Sequence, residues 1–525
     1  MDTWIRSSPS PPADVVSDGS QYVPTLHGIT GPSHSPGRPR EFRLPRKPEK
    51  RSSRFALCMI CDFFYPKLGG VEMHIWSLSQ SLLQLGHKVV VITHAYKDRT
   101  GVRYMTNGLK VYYLPMWIMH DGCSMPSFYT MLPLLRQILV REKVDIVHGH
   151  QASSAMIHQC LMHANIMGYR TVYTDHSLFS FNDLAGIHLN KVLKMTLTGV
   201  DAAIGVSHTC RENLVLRASL EPELVSVIPN AVDCTKFRPD MPRRNAVAKT
   251  GKTNVVVLCR LNYRKGIDII AEVIPIICQR HKDVNFIVGG DGPKKLLLEE
   301  MIERHDLHDR VELLGSVPHR NVPSVLNRGH VFLNCSLTES FCIAILEAAA
   351  CGLYVVSTAV GGLPEVLPDK MITLAESVSS DSVSLAMEDG LSKVNSTTFT
   401  DPLESNKRVK KMYRWLTVAK RTVKVYERIM GVPKPKMRVR LTNYLQIGKF
   451  FGFLGIVMVA LDVILLKIVS WLQPEVDIEH APTFPVARYM KRPGEYHLLE
   501  YNRKQQRLSE GMTKHGEKGP KLTSS

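Results

Sequence analysis

The stretch SLTESFCIAILEAAACG, residues 336–352, follows a short apolar run and leads into an alanine-rich helical pattern. Its two glutamates, Glu339 and Glu347, lie ahead of the helix and about two turns further along it. The free N–H groups at a helix start, together with the helix dipole, favour an anion. Gly352 predicts the end of the helix. The stretch therefore predicts a phosphate site with carboxylates on either side of it.

A nucleotide-sugar fits this pattern. The N–H groups near Phe341, Cys342 and Ile343 are predicted to hold the distal phosphate of a diphosphate. Glu339 then accepts hydrogen bonds from hydroxyls of the group that the phosphate carries, and Glu347 accepts them from a second diol. In the alternative, Glu339 complements the helix dipole and Glu347 lies on a solvated face. That alternative suits Glu339 better than Glu347, whose neighbours CIAIL and AAAC are apolar.

Short β-branched runs alternate with helical patterns and restart after a linker. They are FALCMIC, HKVVVIT, VDIVHGH, RTVYT and DAAIGVS in the first half, and VVVLCR, VNFIVGG, RVELLG, HVFLN and LYVVS in the second. Such runs predict buried parallel strands. The basic, proline-containing stretch at 237–254 predicts a weakly structured linker. We therefore predict an α/β fold of two Rossmann-like domains, 54–232 and 233–403, facing each other across a cleft.

Glycines and cations follow the first strand of each half, where parallel sheets bind ligands. Gly69 and Gly70 open a helix and let the backbone approach a phosphate or sugar closely, although a plain turn is the alternative. Arg260 and Lys265 suit a diphosphate, the first through forked hydrogen bonds and the second as a point charge. Either cation alone is equally typical of a solvated basic turn.

Histidines mark two further strand ends. His148 and His150 alternate along a strand and therefore share a face. Further zinc ligands at suitable spacing are not evident, so we expect His150 to form hydrogen bonds at the cleft; the alternative is a satisfied core histidine at His148. Asp175 and His176 are weaker cleft candidates. The globular part contains no Asp-x-Asp pattern, and we predict neither a metal nor another cofactor.

The distribution of charge favours a membrane-associated protein over a nucleic-acid-binding one, and the cysteines indicate a reducing compartment. The net charge is +18, and the run from Arg38 to Arg54 holds eight Lys/Arg and two Glu. Basic ends suit a membrane surface or anionic lipid better than a nucleic acid, for which binding motifs are missing. Residues 1–53 have the composition of a disordered segment without a signal sequence. Eleven scattered cysteines indicate a reduced protein, with Cys58 and Cys61 as core thiols on opposite faces of a strand.

Residues 447–469, IGKFFGFLGIVMVALDVILLKIV, are apolar and long enough for a transmembrane helix. Asp462 lies within them, at a cost on the order of 2.5–3.5 kcal/mol if it is central and unpaired. Gly448, Gly452 and Gly455 permit the close approach of another helix. We therefore predict packing against partner subunits, which satisfy Asp462. A surface-lying amphipathic helix or a core helix is the alternative.

The charges around this segment predict its orientation. Because basic residues precede the segment and acidic residues follow it, we predict that the globular part lies in the cytosol. The later part of the polar tail at 470–525 is basic, which opposes this prediction. The flanking charges are Lys434, Lys436, Arg438 and Arg440 before it, and Glu475, Asp477 and Glu479 after it. In the first half, a loop with Lys97, Arg99 and Arg103 is expected to meet an anionic headgroup unless it is merely solvated.

Together these features resemble the family 4 retaining glycosyltransferases of GT-B architecture. The resemblance rests on Glu339 and Glu347 with seven residues between them, on RLNYRKG, on the Gly-Gly turn and on GGLPE at 361–365. More narrowly, DFFYPKLGGVEMH, TDHSLF, IPNAVD, YRKGID and LTESFCIAILEAAACG resemble the branch that begins glycosylphosphatidylinositol (GPI) anchor synthesis. The likeness covers roughly residues 54–475. Ala359 departs from the family pattern, which has arginine there.

The resemblance implies the roles of the site residues. Arg260 and Lys265 bind the UDP diphosphate, Glu339 the transferred N-acetylglucosamine (GlcNAc), and Glu347 the ribose, with His150 near the donor sugar. The Gly-Gly turn lies beside the reacting phosphates. The first domain takes the acceptor, the second takes the nucleotide-sugar, and a helix at 404–430 returns to the first domain.

The resemblance also implies the reaction and its setting. The implied activity is transfer of GlcNAc from UDP-GlcNAc to phosphatidylinositol with retention, at the endoplasmic reticulum membrane and in a complex with other subunits. Because no spare carboxylate is placed to act as the nucleophile, we expect front-face attack. Two alternatives stay open: a related glycosyltransferase with another donor or lipid acceptor, and a catalytically silent membrane scaffold of the same fold.

Overall fold

The computed structural model of the protein describes residues 54–67, 69–179, 184–396, 401–435 and 437–482. The segment 1–53, Lys436 and the tail beyond residue 482 lie outside the described residues, so the expectations for them stay predictions.

The first half forms an eight-stranded sheet of order β10-β9-β8-β7-β1-β2-β4-β3. Its elements, with the separate hairpin β5–β6, are β1 (Ala56–Ile60), α1 (Gly70–Gln84), β2 (Lys88–His94), β3 (Gly101–Tyr104), β4 (Lys110–Leu114), β5 (Ile118–His120), β6 (Cys123–Ser124), α2 (Met131–Arg141), β7 (Ile146–His150), α3 (Ala155–Ile166), β8 (Arg170–Asp175), α4 (Leu184–Leu197), β9 (Ala202–Gly205), α5 (His208–Ala218) and β10 (Val225–Val227). Every strand predicted in this half is present and parallel to its neighbours, and within the eight-stranded sheet only the edge strand β3 is antiparallel.

Alternation along β1 distributes its side chains between two apolar layers. Cys58 and Ile60 pack on one side of the sheet with residues of α2 and α3, whereas Leu57, Met59 and Cys61 pack on the other with residues of α1. Both cysteines are fully buried and free, as are most of the others. The prediction of core thiols on opposite faces is confirmed.

The second half forms a six-stranded, wholly parallel sheet of order β13-β12-β11-β14-β15-β16. Its elements are α6 (Met241–Ala248), β11 (Thr253–Leu258), α7 (Ile267–Arg280), β12 (Val284–Gly289), α8 (Lys295–His305), β13 (Val311–Gly315), α9 (Val322–Leu326), β14 (Val331–Asn334), α10 (Ile343–Ala350), β15 (Tyr354–Thr358), β16 (Ile372–Ala375) and α11 (Ser380–Asn395). The predicted pair of parallel α/β halves is therefore confirmed.

The linker at 237–254 is more ordered than its composition indicates. It contains α6, which begins after Asp240, whose side chain accepts a hydrogen bond from Arg243 N. Arg244 is buried and donates to the carbonyls of Gly329, Cys351 and Gly352. The expectation of a weakly structured linker was wrong because this arginine ties the segment to the second half.

Two helices occupy the region where one returning helix was expected. They are α12 (Pro402–Met412), which packs on α10, and α13 (Trp415–Met430), which packs on α1. Tyr413 lies between them and donates to the carbonyl of Val366 across 2.7 Å. The Tyr426 hydroxyl lies 2.7 Å from His148 Nδ1 in the first half. The chain thus crosses back to the first half through α13.

The last two described helices are α14 (Met437–Leu445) and α15 (Lys449–Leu472). By length and composition α15 is able to cross a membrane, and it packs against α14, α2, α3 and α4 of the same chain. Asp462 is fully buried, with its Oδ2 2.7 Å from His163 Nδ1 on α3. A methyl group on Gly452 or Gly455 would collide with Tyr444. The expectation that a partner subunit satisfies Asp462 is corrected for Oδ2, which contacts His163 of this chain, while Oδ1 has no hydrogen-bond partner among the described residues. Gly452 and Gly455 pack against Tyr444 of this chain, whereas a Cβ on Gly448 would meet nothing within 4 Å, so packing against other subunits stays a prediction.

The buried pair predicts unequal effects of removing its two members. Because His163→Ala leaves a buried carboxylate unpaired, we expect it to cost about 3 kcal/mol of unfolding free energy. Asp462→Ala leaves a histidine ring whose Nε2 keeps its 2.8 Å contact with the carbonyl of Phe128, and it is expected to cost about 1 kcal/mol. Thermal unfolding of the reconstituted protein measures both, with the exposed Asp477→Ala as control. Strict additivity in the double variant would contradict a direct contact.

Candidate active site

Glu339, Lys265 and the start of helix α10 lie close together just after strand β14. The Glu339 carboxylate contacts the Lys265 ammonium directly and accepts from the Ser336 hydroxyl at 3.1 Å. Helix α10 begins four residues later, at Ile343, after Cys342 in a left-handed conformation with φ 60°. A cation, a carboxylate and the N–H groups of a helix start are therefore grouped at one place, which suits the phosphates and hydroxyls of one ligand.

The backbone around Lys265 holds this cation in place. The Asn262 side chain accepts from Lys265 N at 3.2 Å, and Gly266 follows at φ 65°. A Cβ on Gly266 would collide with the carbonyl oxygen of Cys335, so glycine is required where the turn meets β14. Burial disfavours the charged form of Lys265, but the Glu339 carboxylate outweighs it and raises the pKa of Lys265. The ammonium is therefore charged at neutral pH.

The Gly-Gly turn of the first half faces this group. A Cβ on Gly70 would lie 3.9 Å from Cδ1 of Ile343, the first residue of α10. Arg260, at the end of β11, is exposed and has no ion-pair partner among the residues that the structure describes. The structure thus brings the predicted glycines, cations and helix start together around one cleft.

Glu72 is a carboxylate that the sequence analysis missed. It lies in the first turn of α1, is 6% exposed, and points at the backbone of Gly69. Burial raises its pKa, while the nearby charges of Arg260 and Lys67 oppose that rise. The sequence GGVE could have indicated this carboxylate. However, an acidic residue in the first turn of a helix commonly does no more than interact favourably with the helix dipole, so the sequence did not single out Glu72.

Glu347 on α10 contacts His319, which in turn contacts Lys236, and the sequence indicated neither residue. Its Oε1 is 3.2 Å from His319 Nε2, and His319 Nδ1 is 2.7 Å from Lys236 Nζ. The Glu347 side chain is 15% exposed, so it is neither in the core nor on a solvated face. Burial lowers the pKa of Lys236, although Glu347 and Asp233 oppose that change.

Four histidines form a cluster beside the first turns of α1, and three of them are buried while His176 is partly exposed. His148 is satisfied by Thr174 and Tyr426, which agrees with the alternative of a core histidine. His150 Nδ1 is 3.3 Å from His176 Nε2, while His150 Nε2 has no hydrogen-bond partner among the described residues. His74 adds a third ring to this pair, and one nitrogen from each lies within 4.8 Å of the others. Sequence spacing could not show this grouping, because α1, β7 and the segment after β8 each supply one ring.

The cluster predicts loss of stability in acid. Burial lowers the pKa of His74 to about 4 and of His148 to about 3, whereas an unfolded chain has about 6.5. The unfolded state therefore binds more protons in this range, so the stabilising contribution is complete above about pH 6.5 and is lost as the pH falls toward 4. We expect the Tm to fall by about 5 °C or more between pH 7.5 and 5.5. This fall should be smaller in His148→Gln than in the exposed control His308→Gln; equal falls would contradict a neutral cluster.

Contacts across the two halves close the rim of the cleft. Glu365, in GGLPE, accepts from the backbone N–H groups of His208 and Thr209 at 2.6 and 2.9 Å. The Ser340 hydroxyl donates to the carbonyl of His176 at 2.5 Å. Asp175, the other candidate after β8, is fully buried and lies 3.3 Å from the Arg217 guanidinium. His176 therefore reaches the cleft, whereas Asp175 is an interior ion pair.

Two facing parallel sheets with this grouping between them define a GT-B glycosyltransferase. Solved structures share the fold: sucrose-phosphate synthase from Thermosynechococcus elongatus (TM-score 0.60, 18% identity, 72% of this chain and 100% of that one) and Anabaena Alr3699/HepE in complex with UDP (TM-score 0.58, 16% identity, 71% and 99%). The family Glycosyl transferases group 1 matches residues 241–396, and the family PIGA (GPI anchor biosynthesis) matches 94–183.

Full-length relatives narrow the class to one family. A phosphatidylinositol N-acetylglucosaminyltransferase subunit from Arabidopsis thaliana is 52% identical over 429 residues, covering 82% of this chain and 94% of that protein. The Homo sapiens protein of the same name is 48% identical over 434 residues, covering 82% and 88%. The chain belongs to this family of phosphatidylinositol N-acetylglucosaminyltransferase subunits.

Proposed function

We propose that this glycosyltransferase moves GlcNAc from UDP-GlcNAc to phosphatidylinositol with retention, the first step of GPI anchor synthesis. The observation that carries the proposal is the Lys265–Glu339 contact at the start of α10, opposite the Gly-Gly turn. Family membership supports the choice of donor and acceptor. The relatives are named as subunits, which supports a complex with other chains.

The diphosphate is proposed to lie between Arg260, Lys265 and the N–H groups that precede and open α10. Arg260 is exposed and is available to a ligand entering the cleft. Lys265 carries a charge that Glu339 and Ser336 hold in position. As the bond from the sugar to the phosphate breaks, negative charge grows on the departing UDP, and these groups stabilise it. Arg260 and Lys265 thus neutralise the charge of the departing diphosphate, which a divalent metal ion does in metal-dependent transferases.

In the proposed reaction the acceptor attacks from the face that UDP leaves. The inositol hydroxyl oxygen forms a bond to the anomeric carbon while the bond from that carbon to the β-phosphate oxygen breaks. The hydroxyl proton passes to the departing phosphate oxygen, so UDP carries it away and configuration is retained. Glu339 accepts hydrogen bonds from the GlcNAc hydroxyls, which orients the ring. His150 is neutral because burial lowers its pKa well below the usual range, and its Nε2, which has no hydrogen-bond partner among the described residues, is proposed to bond a sugar hydroxyl.

Glu347 is proposed to hold the ribose. Its position on α10 and its partial exposure suit a carboxylate that accepts from a ribose diol. His319 contacts its Oε1 and keeps it oriented, and Lys236 holds the other nitrogen of the His319 ring. The donor is then held at both ends, with the diphosphate between the two glutamates.

The proposed location at a membrane rests on helix α15 and on the family to which the chain belongs. A lipid acceptor requires the cleft to lie close to a membrane, and α15 is the described helix that is able to cross one. Basic residues before it and acidic residues after it favour a single pass with the catalytic part in the cytosol. We propose the endoplasmic reticulum membrane as its location on the strength of the resemblance.

Radiolabelled UDP-GlcNAc and phosphatidylinositol test the proposal. Membranes that contain the complete complex should form a labelled lipid with the wild-type chain, and Glu347→Ala should form it about 5- to 50-fold more slowly at a donor concentration near the wild-type KM. A labelled product with another lipid alone would favour a related transferase with a different acceptor. If the complete complex forms no labelled lipid at all, the silent scaffold is the better account.

A further inference from the structure

The hairpin β5–β6 presents apolar side chains to solvent at the rim of the cleft. Trp117 is 81% exposed and Met119 is 68% exposed, with Ile118 and Met125 beside them at 43% and 49%. The segment is nevertheless anchored: Met125 N donates to the carbonyl of Trp117 at 2.6 Å. A fixed hairpin that leaves an indole in water indicates a partner surface.

Contacts at its far end fix the hairpin to the floor of the first half. Ser124 N donates to the buried Asp62 carboxylate at 3.2 Å, and the Cys123 thiol donates to the carbonyl of Ser153 at 3.2 Å. Lys67, two residues before Gly69, pairs with Asp121 at the hairpin turn at 2.8 Å. The hairpin is therefore tied directly to the segment that forms the Gly-Gly turn.

A basic loop flanks the same segment. The Arg99 guanidinium lies 4.5 Å from the centroid of the Tyr65 ring, and Lys97 and Arg103 are exposed nearby along the chain. Asp98 is the acidic residue of this loop. The loop adjoins the hairpin, because a Cβ on Gly122 in the hairpin turn would lie 4.0 Å from His94 Nε2, and the His94 ring packs on Tyr96 at the start of the loop, with 4.0 Å between ring centroids. We call the combined surface, Lys97 and Arg99 of the loop, Arg103 of β3, and Trp117 and Met119 of the hairpin, the rim patch.

We propose that the rim patch docks on an anionic phospholipid leaflet, with Trp117 and Met119 entering the interface and the three cations meeting lipid phosphates. Tryptophan favours the boundary between headgroups and acyl chains, and basic side chains are attracted to anionic headgroups. The patch is also continuous with the membrane helix, because Phe128, three residues after Met125, packs in the cluster that contains Val459 of α15.

Docking at this place would deliver the acceptor to the cleft. The inference rests on the lipid acceptor proposed above and specifies how a headgroup in a bilayer reaches the Gly-Gly turn. The alternative is that another protein subunit, and not lipid, covers the exposed Trp117. The three neighbouring cations favour lipid, and the experiment distinguishes the two.

The test uses the full transferase complex in nanodiscs of phosphatidylcholine and phosphatidylinositol. We expect the double variant Trp117→Ser/Met119→Ser to raise the apparent KM for bilayer phosphatidylinositol about tenfold. With a monomeric short-chain phosphatidylinositol, and for UDP-GlcNAc, its KM should stay within about twofold of wild type. The matched control is Leu216→Ser/Leu385→Ser, which removes two residues that are 68% and 64% exposed elsewhere.

Three outcomes would overturn the inference. One is an unchanged KM for the bilayer lipid, and another is an equal change for both acceptors. The third is loss of another subunit from the purified variant complex, which would assign the patch to a protein interface. If the wild-type complex glycosylates neither lipid, the proposed function itself is wrong, and this result is seen without any variant.

Fluorescence quenching by brominated phosphatidylcholine measures insertion directly. It should quench less fluorescence in Trp117→Phe than in wild type, and equal quenching would count against insertion.

Discussion

Lys265→Ala should lower kcat for GlcNAc transfer about 100- to 1,000-fold while leaving the fold intact. The ammonium contacts Glu339 beside the start of α10, and its pKa is raised, so it is a fixed positive charge at the proposed diphosphate site. Its removal takes away stabilisation of the departing UDP. It also leaves the Glu339 carboxylate uncompensated next to a diphosphate. Initial rates with labelled UDP-GlcNAc and the purified complex measure the change.

Two further variants separate charge from geometry. Lys265→Arg keeps the charge but changes the shape of the donor group, so its kcat should lie between those of wild type and alanine. Lys295→Ala removes an exposed lysine paired with Glu299 and should leave kcat near wild type. A Tm close to wild type for Lys265→Ala excludes unfolding as the cause. Near-normal turnover of that variant would refute the role of this cation.

The second large effect is expected from Glu347→Ala, as a rise of about 10- to 100-fold in the KM for UDP-GlcNAc. The carboxylate is proposed to accept from the ribose diol, an interaction present in both bound donor and transition state, so KM should change more than kcat. UDP should lose affinity by a similar factor, because it retains the ribose. Steady-state kinetics and inhibition by UDP measure both quantities.

The control for this variant is an acidic residue outside the cleft. Glu388 pairs with Arg280 on the surface of the second half, and Glu388→Ala should leave both constants unchanged. Glu347→Gln keeps a hydrogen-bond acceptor and should have a smaller effect than alanine. An unchanged KM and an unchanged affinity for UDP in Glu347→Ala would place the ribose elsewhere.

Local patterns in the sequence predicted the two sheets well. The β-branched runs that form β1, β2, β7, β8 and β9 are buried on both faces, and such continuous apolar runs are typical of parallel strands. The strands β3, β4, β10 and β16 and the hairpin β5–β6 were not predicted, although β4 is fully buried. The four residues of β3 are all exposed, so it has no apolar run to detect. The helix α6 was missed because the contacts of Arg244 that hold it come from residues 85 to 108 positions away.

The candidate site was predictable where one short segment carries it. Glu339, Glu347 and the start of α10 come from a single stretch, and Lys265 follows a recognisable strand. The partners of those residues were not predictable, because they arrive from remote segments: His319 lies 28 positions from Glu347. The clearest case is Asp462, whose partner His163 is 299 positions away and could not be inferred from either local sequence.

The most direct test of the account is a structure of the complete transferase bound to UDP, determined by cryo-electron microscopy. The account predicts the diphosphate within hydrogen-bond distance of Lys265, Arg260 and the N–H groups at the start of α10, with the Glu347 carboxylate on the ribose hydroxyls. A nucleotide bound outside the cleft, or a ribose that does not touch Glu347, would contradict it.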